Sequence, residues 1–450
     1  MSYVQNTDSD RREMLKETGV SSFEELLEPI DEKLRVKGVL DIGPAMSEAE
    51  VASRLGALAS ANSPASDMVS FLGGGIYDRF IPATVRYVLS RSEFYTSYTP
   101  YQAEVSQGTL QAIFEYQTMI ARLTAMDAAN ASMYDASTAL AEAMLMAAVI
   151  KRTARVIVPA ALSRRVRAVL DSYAAGKDVV IDEVPFGEDG TMDTGALAGM
   201  LSEKAAAVVL AQPNYFGLIE DARTVSGIVH EAGALLIVLA DPVSLALIEP
   251  PGEYDADIVV GEGQSLGIAQ SFGGPLLGFL AAKTPYLRKC PGRLISATVD
   301  IDGKRGYTMT LQTREQHIRR EKATSNICTN EGLVALAASV YLATMGEDGF
   351  REVALQSASK AKTLYRMLKK AGAGLPFGEN FFQEFVMTVP GGADAFIARA
   401  RERGVLAGIP LGKDFPSLGG DAVLVAVTEK RTRKDLELLC ELVVGKGGAA

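Results

Sequence analysis

Short apolar runs alternate with amphipathic stretches through the middle of the chain, from Arg155 onward. The apolar runs are rich in β-branched residues and are typical of buried strands. The predicted strands cover residues 156–158, 179–184, 206–210, 234–240, 258–260 and 276–281, and the helices between them cover residues 162–173, 195–201 and 224–232. Apolar strands separated by helices indicate βαβ units. The pattern predicts an α/β fold with a mostly parallel sheet that has helices on both faces.

The N-terminal part has a different pattern, with short helices interrupted by turns. Two pairs of residues fit capping boxes that start helices, Ser22 with Glu25 and Ser47 with Glu50. These helices have little core of their own, so we predict an arm that lies on a neighbouring body. That body is either a partner subunit or the rest of the same chain, and composition favours neither.

The C-terminal part repeats the α/β pattern on a smaller scale. An apolar helix at 333–345 is followed by a natural break at Gly346–Gly349, and then by helices and strands up to a closing helix from Lys434. We expect the last residues, 445–450, to be frayed. The predicted organisation is an N-terminal helical arm (1–62), a large domain (63–345) and a small C-terminal α/β domain (346–450).

A glycine-rich loop follows the predicted strand at 258–260, and glycines let a ligand or another chain approach the backbone closely. Asp241 ends one predicted strand and Asn214 follows another, so both should lie in the crevice at the carboxyl ends of the sheet. Pyridoxal-phosphate chemistry uses an aspartate for the ring nitrogen and a lysine for the Schiff base. The loop carries Gln264 where the lysine should stand, and an amide cannot condense with an aldehyde.

Ser137 and Thr138 stand at the predicted N-terminus of an alanine-rich helix. Their hydroxyls and backbone N–H groups could cradle a phosphate. They could equally form an ordinary N-cap with Asp135, and N-caps are far commoner than phosphate sites. Both interpretations stay open from the sequence.

Aromatic, hydroxyl and amide side chains crowd the region from Phe71 to Gln107. Such a set can orient a small polar ligand, although any single tyrosine is more often a packing residue. We predict a functional surface with five members: Tyr77, Tyr95, Tyr98, Thr99 and Gln107. A second polar stretch, residues 313–328, is rich in arginine and either receives anions or forms a solvated helix face.

Composition narrows the classes of function. The chain has 450 residues, is 48% hydrophobic and carries a net charge of −10, which argues against nucleic acid and anionic membrane surfaces as partners. Its three cysteines and two histidines offer no convincing metal site, and its longest apolar run is too short to cross a bilayer. Few cysteines and no signal segment after Met1 predict a cytoplasmic protein.

Several long motifs resemble subunit 1 of the two-subunit glycine dehydrogenases (decarboxylating), the P-proteins of the glycine cleavage system. The resemblance covers essentially the whole chain. Its most specific parts are residues 71–78 (FLGGGIYD), 98–102 (YTPYQ), 106–110 (SQGTL), 115–119 (EYQTM) and 313–330 (TREQHIRREKATSNICTN).

The resemblance implies a type I pyridoxal-phosphate-dependent transferase fold, like that of aspartate aminotransferase. It also implies a beta partner, subunit 2, with the same fold and a His-Lys pair in its glycine-rich loop. Alignment on the shared Gly-Gly-Pro ending puts Gly263 and Gln264 at the places of that pair. The partner would therefore bind pyridoxal phosphate covalently, and Ser137, Thr138, Asn214, Asp241 and Gln264 would form a vestigial crevice.

In such a complex, with αβ or α2β2 assembly, glycine is decarboxylated and its aminomethyl group passes to the lipoyl arm of H-protein. The five-residue surface would supply a wall of the shared site, and this chain alone would be inactive. Two alternatives remain. One is a stand-alone pyridoxal-phosphate enzyme that uses another lysine, such as Lys283 or Lys322. The other is a structural or regulatory subunit that only docks H-protein or stabilises its partner.

Overall fold

The computed structural model describes residues 6–38, 40–312, 315–323 and 325–444. Thr313, Arg314 and Thr324 of the arginine-rich stretch, and the tail expected to fray, lie outside these residues. The chain divides into two compact units, Met1–Ser63 and Pro64–Ala450. The predicted boundary at residue 345 within the second unit stays a prediction.

The first unit consists of short helices with polar caps: α1 (Asp8–Glu17), α2 (Phe23–Leu26) and α3 (Glu48–Ser60). Ser22 caps α2 by accepting a hydrogen bond from the Glu25 N–H, as predicted. Ser47 and Glu50 form a complete capping box at the start of α3, which satisfies N–H groups that lack a partner inside the helix. None of these three described helices contains a buried residue, so the unit has little core of its own.

The second unit contains the remaining elements in an alternating order. The first half comprises β1 (Val69–Ser70), α4 (Ala83–Leu89), α5 (Ser92–Tyr95), α6 (Gln107–Thr124), β2 (Ala128–Ala129), α7 (Ala136–Lys151), β3 (Arg155–Pro159), α8 (Arg164–Ala175), β4 (Val180–Val184), α9 (Thr194–Met200), β5 (Ala207–Gln212), α10 (Ala222–Glu231) and β6 (Leu235–Ala240). The second half comprises β7 (Ile258–Glu262), β8 (Gly278–Ala282), β9 (Leu294–Val299), β10 (Arg305–Thr310), α11 (Gln316–Arg319), α12 (Gly332–Lys370), β11 (Glu384–Thr388), α13 (Ala393–Glu402), β12 (Val405–Leu406), β13 (Ile409–Pro410), β14 (Ala422–Ala426) and α14 (Arg433–Val444).

A seven-stranded sheet with the order β2-β8-β7-β6-β5-β3-β4 forms the centre of this unit. Strands β3 to β7 pair in parallel, whereas β8 pairs in antiparallel fashion with β7 on one side and with the edge strand β2 on the other. The predicted mostly parallel sheet is therefore confirmed. Gly261 on β7 allows the tight packing here, because a Cβ at this position would lie 2.3 Å from both the Ala240 carbonyl oxygen and the Phe279 ring.

Alternate residues of the central strands face two separate apolar cores. On β6, Leu236 and Val238 join the core that contains α6, α10 and α12, whereas Leu235 and Ile237 join the core that contains α7 and α8. A strand buried on both sides has no polar face, which explains the continuous apolar runs in the sequence. Helices thus cover both faces of the sheet, as predicted.

The C-terminal elements build a three-stranded antiparallel sheet with the order β11-β14-β13, packed against the second half of α12. Helix α12 is kinked at Gly346, whose φ of 62° is accessible mainly to glycine. Gly346 therefore interrupts the helical backbone of α12, at the start of the break predicted for residues 346–349. The antiparallel hairpin of β9 and β10, which contacts α6, was missing from the sequence prediction.

Candidate functional site

A cavity of about 300 Å³ lies at the carboxyl ends of β5, β6 and β7. Three of the residues predicted for the vestigial crevice line it: Ser137, Asn214 and Asp241. Parallel strands end at the same edge of a sheet, so residues that follow different strands meet there. The other two line different cavities: Gln264 lines one that shares Tyr77 with this cavity, and Thr138 lines another.

Asp241 is already held by groups of this chain. One carboxylate oxygen accepts the Val243 N–H at 2.8 Å, and the other accepts the side-chain amide of Gln383 at 2.7 Å. Burial raises the pKa of Asp241, and the nearby Arg79 guanidinium opposes that rise. The carboxylate oxygen that could have faced a ring nitrogen therefore already accepts a hydrogen bond from Gln383, the residue just before β11.

Gln264 is 1% exposed, and both ends of its amide are bonded to the backbone. Its oxygen accepts the Tyr77 N–H at 2.9 Å. Its nitrogen donates to the carbonyl oxygens of Tyr77 at 3.1 Å and Ile268 at 2.7 Å. The side chain therefore fixes the loop at Tyr77 to the end of β7, a role that needs both a donor and an acceptor.

Glu262, the last residue of β7, was missed by the sequence prediction. Its carboxyl oxygens accept three backbone N–H groups, from Ala136 at 3.1 Å, Gln264 at 3.0 Å and Leu277 at 3.0 Å. Burial raises its pKa to about 7, although these three hydrogen bonds act in the opposite direction. The available signal in the sequence was an acidic residue between two glycines, Gly261 and Gly263, where the strand meets the glycine-rich loop.

Tyr77 lies in this crevice and away from the exposed tyrosines with which it was grouped. It is 5% exposed, and its hydroxyl donates to Glu384 at 2.8 Å. The other Glu384 oxygen accepts the Gly74 N–H at 2.6 Å. The sequence signal for Glu384 was a charged residue at the start of an apolar strand. Such a position is unusual for glutamate, because charged side chains are seldom buried.

The buried carboxyl of Glu384 should make stability depend on pH. Burial raises its pKa from 4.5 to about 7. A carboxyl with a raised folded-state pKa stabilises the fold at low pH, and that contribution is lost as the pH rises from the unfolded to the folded value. We expect the unfolding free energy of the wild type, relative to Glu384→Gln, to fall by up to about 3 kcal/mol across this range.

Urea unfolding at a series of pH values, followed by circular dichroism, measures this difference. Glu402→Gln, which changes an exposed glutamate on α13, is the matched control and should show a nearly constant difference. A difference between wild type and Glu384→Gln that does not change with pH would contradict the assignment.

Thr138 belongs to the N-terminal capping box of α7, in which Asp135 is the N-cap residue. Its N–H donates to the Asp135 carboxylate at 2.7 Å, and its hydroxyl oxygen accepts the Asp135 N–H at 3.2 Å. This is a capping box, which was one of the two interpretations left open. The other residue of that pair, Ser137, lines the crevice.

The crevice does not fit pyridoxal phosphate. Asp241 accepts a hydrogen bond from Gln383, and the amide of Gln264 is hydrogen-bonded to the backbone of Tyr77. The Glu262 carboxyl accepts the N–H of the first residue of α7. A phosphate at that helix N-terminus would meet this carboxyl, and like charges at contact distance repel strongly. Among the described lining residues there is also no lysine to form a Schiff base.

The polar aromatic loop, residues 94–107, forms a separate candidate site. Tyr95 and Tyr98 are 70% and 76% exposed, and with Thr99 they line a cavity of about 200 Å³. Tyr116 also lines this cavity, and its buried hydroxyl has no hydrogen-bond partner among the described residues. The structure therefore brings together three of the five residues predicted for the functional surface.

Gln107, the fifth member, has a structural role in this chain. Its amide nitrogen donates to the carbonyl oxygens of Ala103 and Tyr307, and its oxygen accepts the Tyr307 N–H at 2.8 Å. These bonds tie the start of α6 to β10. Substitution of Gln107 would therefore disturb the fold as well as the surface.

The arginine-rich stretch is exposed over most of its described part. Glu315 lies 3.9 Å from the buried Arg293 guanidinium, which also contacts the hydroxyl of Tyr101 at 3.3 Å. His317 lies 3.7 Å from Glu315. Across residues 6–38, 40–312, 315–323 and 325–444, no cluster of His, Cys, Asp and Glu could hold a metal ion, and no helix is long and apolar enough to cross a membrane.

Comparisons with known proteins assign the family. The family model for the glycine cleavage system P-protein matches residues 1–443. Probable glycine dehydrogenase (decarboxylating) subunit 1 of Chloroherpeton thalassium is 49% identical over 442 residues, covering 98% of this chain and 99% of the relative. The protein of the same name from Geobacillus thermodenitrificans is 47% identical over 435 residues, covering 97% of each chain.

Solved structures agree with the sequence relatives. A glycine decarboxylase (P-protein) of the glycine cleavage system, in inhibitor-bound form, superposes with a TM-score of 0.87 at 40% identity, covering 99% of this chain and 100% of that one. An alanine–glyoxylate aminotransferase from Nostoc shares the fold alone, with a TM-score of 0.60 at 16% identity over 85% of this chain and 96% of that one. These neighbours confirm the predicted type I fold of pyridoxal-phosphate-dependent enzymes. The chain therefore belongs to the family of glycine cleavage system P-proteins, among the relatives named subunit 1.

Proposed function

We propose that this chain is the subunit of a two-subunit glycine decarboxylase that does not carry the cofactor. The beta partner, subunit 2, would hold pyridoxal phosphate, which supplies the electron sink for decarboxylation of glycine. The aminomethyl group would then pass to the lipoyl arm of H-protein. This chain would complete the shared site with its exposed aromatic loop. The observation that carries the proposal is that Gln264 stands at the lysine position with its whole amide bonded to the backbone.

The exposed tyrosines support a role at a boundary between subunits. Tyr95 and Tyr98 present large apolar rings with polar tips to solvent, beside a cavity that Thr99 and Pro100 also line. Aromatic residues of this type are enriched at protein interfaces, because one end can be buried while the hydroxyl finds a hydrogen bond. A partner subunit that covers this cavity would turn an exposed surface into one wall of an enclosed site.

The two lysines considered for a stand-alone enzyme are poorly placed. The Lys283 ammonium is paired with the carboxylates of Asp255 at 2.7 Å and Asp257 at 2.9 Å. Those residues precede β7, whereas the crevice lies beyond the other end of this strand. Lys322 is exposed on the arginine-rich stretch. Neither ammonium lines the crevice.

Reduction with borohydride in the presence of pyridoxal phosphate tests which subunit carries the cofactor. The full chain and its beta partner are purified separately and as a complex, reduced, and analysed by mass spectrometry of their peptides. We expect a pyridoxyl-modified lysine on the partner, and at most unspecific labelling of surface lysines on this chain. A stoichiometric pyridoxyl-lysine on this chain, together with glycine decarboxylation by the chain alone, would overturn the proposal.

A purely structural or regulatory subunit would give a different result. In that case the complex would keep its turnover when the exposed tyrosines are replaced, whereas a wall of the active site predicts a loss. The αβ and α2β2 assemblies are distinguished by the mass of the purified complex.

A further inference from the structure

Glu262 joins three separate segments of the chain through one carboxyl group. Oε2 accepts the N–H of Ala136, the first residue of α7. Oε1 accepts the N–H of Gln264, in the loop after β7, and that of Leu277, just before β8. The carboxyl therefore lies where the beginning of a long helix, a glycine-rich loop and a neighbouring strand converge.

Close backbone packing makes this convergence possible. A Cβ on Gly278 would lie 2.4 Å from the Asp135 carbonyl oxygen, so only glycine lets β8 approach the cap of α7 this closely. A Cβ on Gly263 would lie 2.8 Å from the Leu277 side chain. These two glycines bring the three N–H groups within reach of a single acceptor group.

Three converging backbone N–H groups, one of them at a helix N-terminus, form the kind of cradle that binds anions in other proteins. If they were buried without an acceptor, each N–H would cost free energy. A single N-cap needs only one side-chain oxygen for one or two N–H groups of its own helix. Glu262 differs, because it reaches the helix from the end of a strand 126 residues away in sequence.

We propose that the Glu262 carboxyl is a built-in acceptor that occupies this cradle in place of an external phosphate or carboxylate. The crevice is then complete without a cofactor, and the neighbouring Gln264 amide completes the same arrangement by holding the loop at Tyr77. This inference concerns the chain's own backbone, so it stands or falls separately from the assignment of the partner and its substrate.

Rescue by small anions tests the proposal. The full-length Glu262→Ala variant opens the cradle, and its thermal unfolding is followed by circular dichroism, since the chain has no tryptophan. We expect the variant to melt several degrees below the wild type in sodium chloride. Sodium acetate or inorganic phosphate at matched ionic strength should then raise its Tm in a saturable way, and should leave that of the wild type nearly unchanged.

Asp193→Ala is the matched control, because Asp193 is an exposed N-cap carboxylate that accepts the Ala196 N–H at 2.9 Å. Water can replace an exposed cap, so its Tm should respond to the anions no more than that of the wild type. Equal anion effects on Glu262→Ala, Asp193→Ala and the wild type would overturn the proposal. So would a Glu262→Ala variant as stable as the wild type.

If Glu262→Ala does not fold, the isosteric Glu262→Gln variant is used to test the proposal. Its amide can accept through one atom only, so at least one of the three N–H groups loses its acceptor. Hydrogen exchange at Ala136, Gln264 or Leu277 should then be at least about tenfold faster than in the wild type, because protection reports local opening. Unchanged exchange at all three amides would contradict the inferred role.

Discussion

Replacing Tyr98 with alanine is expected to lower glycine decarboxylation by the two-subunit enzyme by about thirtyfold, the effect of losing about 2 kcal/mol from a central aromatic contact. The side chain is 76% exposed in this chain and lines the cavity below the aromatic loop. Its removal should therefore cost this chain little stability, and the loss should appear only in the complex. Release of CO2 from glycine in the presence of lipoylated H-protein measures the effect.

Tyr87→Ala is the control for the loss of an exposed tyrosine. Tyr87 is 64% exposed on α4 and does not belong to the five-residue surface. We expect Tyr87→Ala to leave both turnover and binding to the partner nearly unchanged. Tyr98→Phe should lose activity to the extent that the hydroxyl bonds to substrate or partner. If Tyr98→Ala and Tyr98→Phe both keep full turnover, the aromatic loop is no part of the active site.

Gln264→Lys is expected to destabilise the chain by about 2–4 kcal/mol without creating a site for pyridoxal phosphate. An ammonium group can donate to the carbonyl oxygens of Tyr77 and Ile268, but it cannot accept the Tyr77 N–H. It would also bury a charge at a position that is 1% exposed. The new amine would still adjoin a crevice in which Glu262 blocks the phosphate position.

Urea unfolding measures the stability of this variant, and absorbance with borohydride reduction measures cofactor attachment. Gln356→Lys, at an exposed position on α12, introduces the same charge and should leave stability within about 0.5 kcal/mol of the wild type. A Gln264→Lys chain that is yellow, stoichiometrically labelled and as stable as the wild type would show that one amide was the whole difference from a functional site.

The parallel sheet was predictable because its strands are buried on both faces. A strand such as β6 must then be apolar at every position, and this pattern needs no knowledge of the rest of the fold. The hairpin of β9 and β10 carries Arg305, Thr308 and other polar residues, and its pairing depends on contacts with α6 that are remote in sequence. Local periodicity could not reveal it.

The candidate site was predictable to different depths. Asp241 and Asn214 could be placed in the crevice from topology alone, because both follow parallel strands. The burial of Tyr77 in the same crevice could not be predicted, since its hydrogen-bond partner Glu384 lies 307 residues away in the sequence. The role of Glu262 was hidden for the same reason. Its three hydrogen bonds are visible only after α7, β7 and β8 have been packed together.

The filled cradle around Glu262 has a consequence for biosynthesis. The acceptor of three backbone N–H groups is part of the same polypeptide and is present from the moment of translation. Once α7, β7 and β8 have packed together, these groups are satisfied without a small molecule. This corner of the fold can therefore mature before any ligand is added.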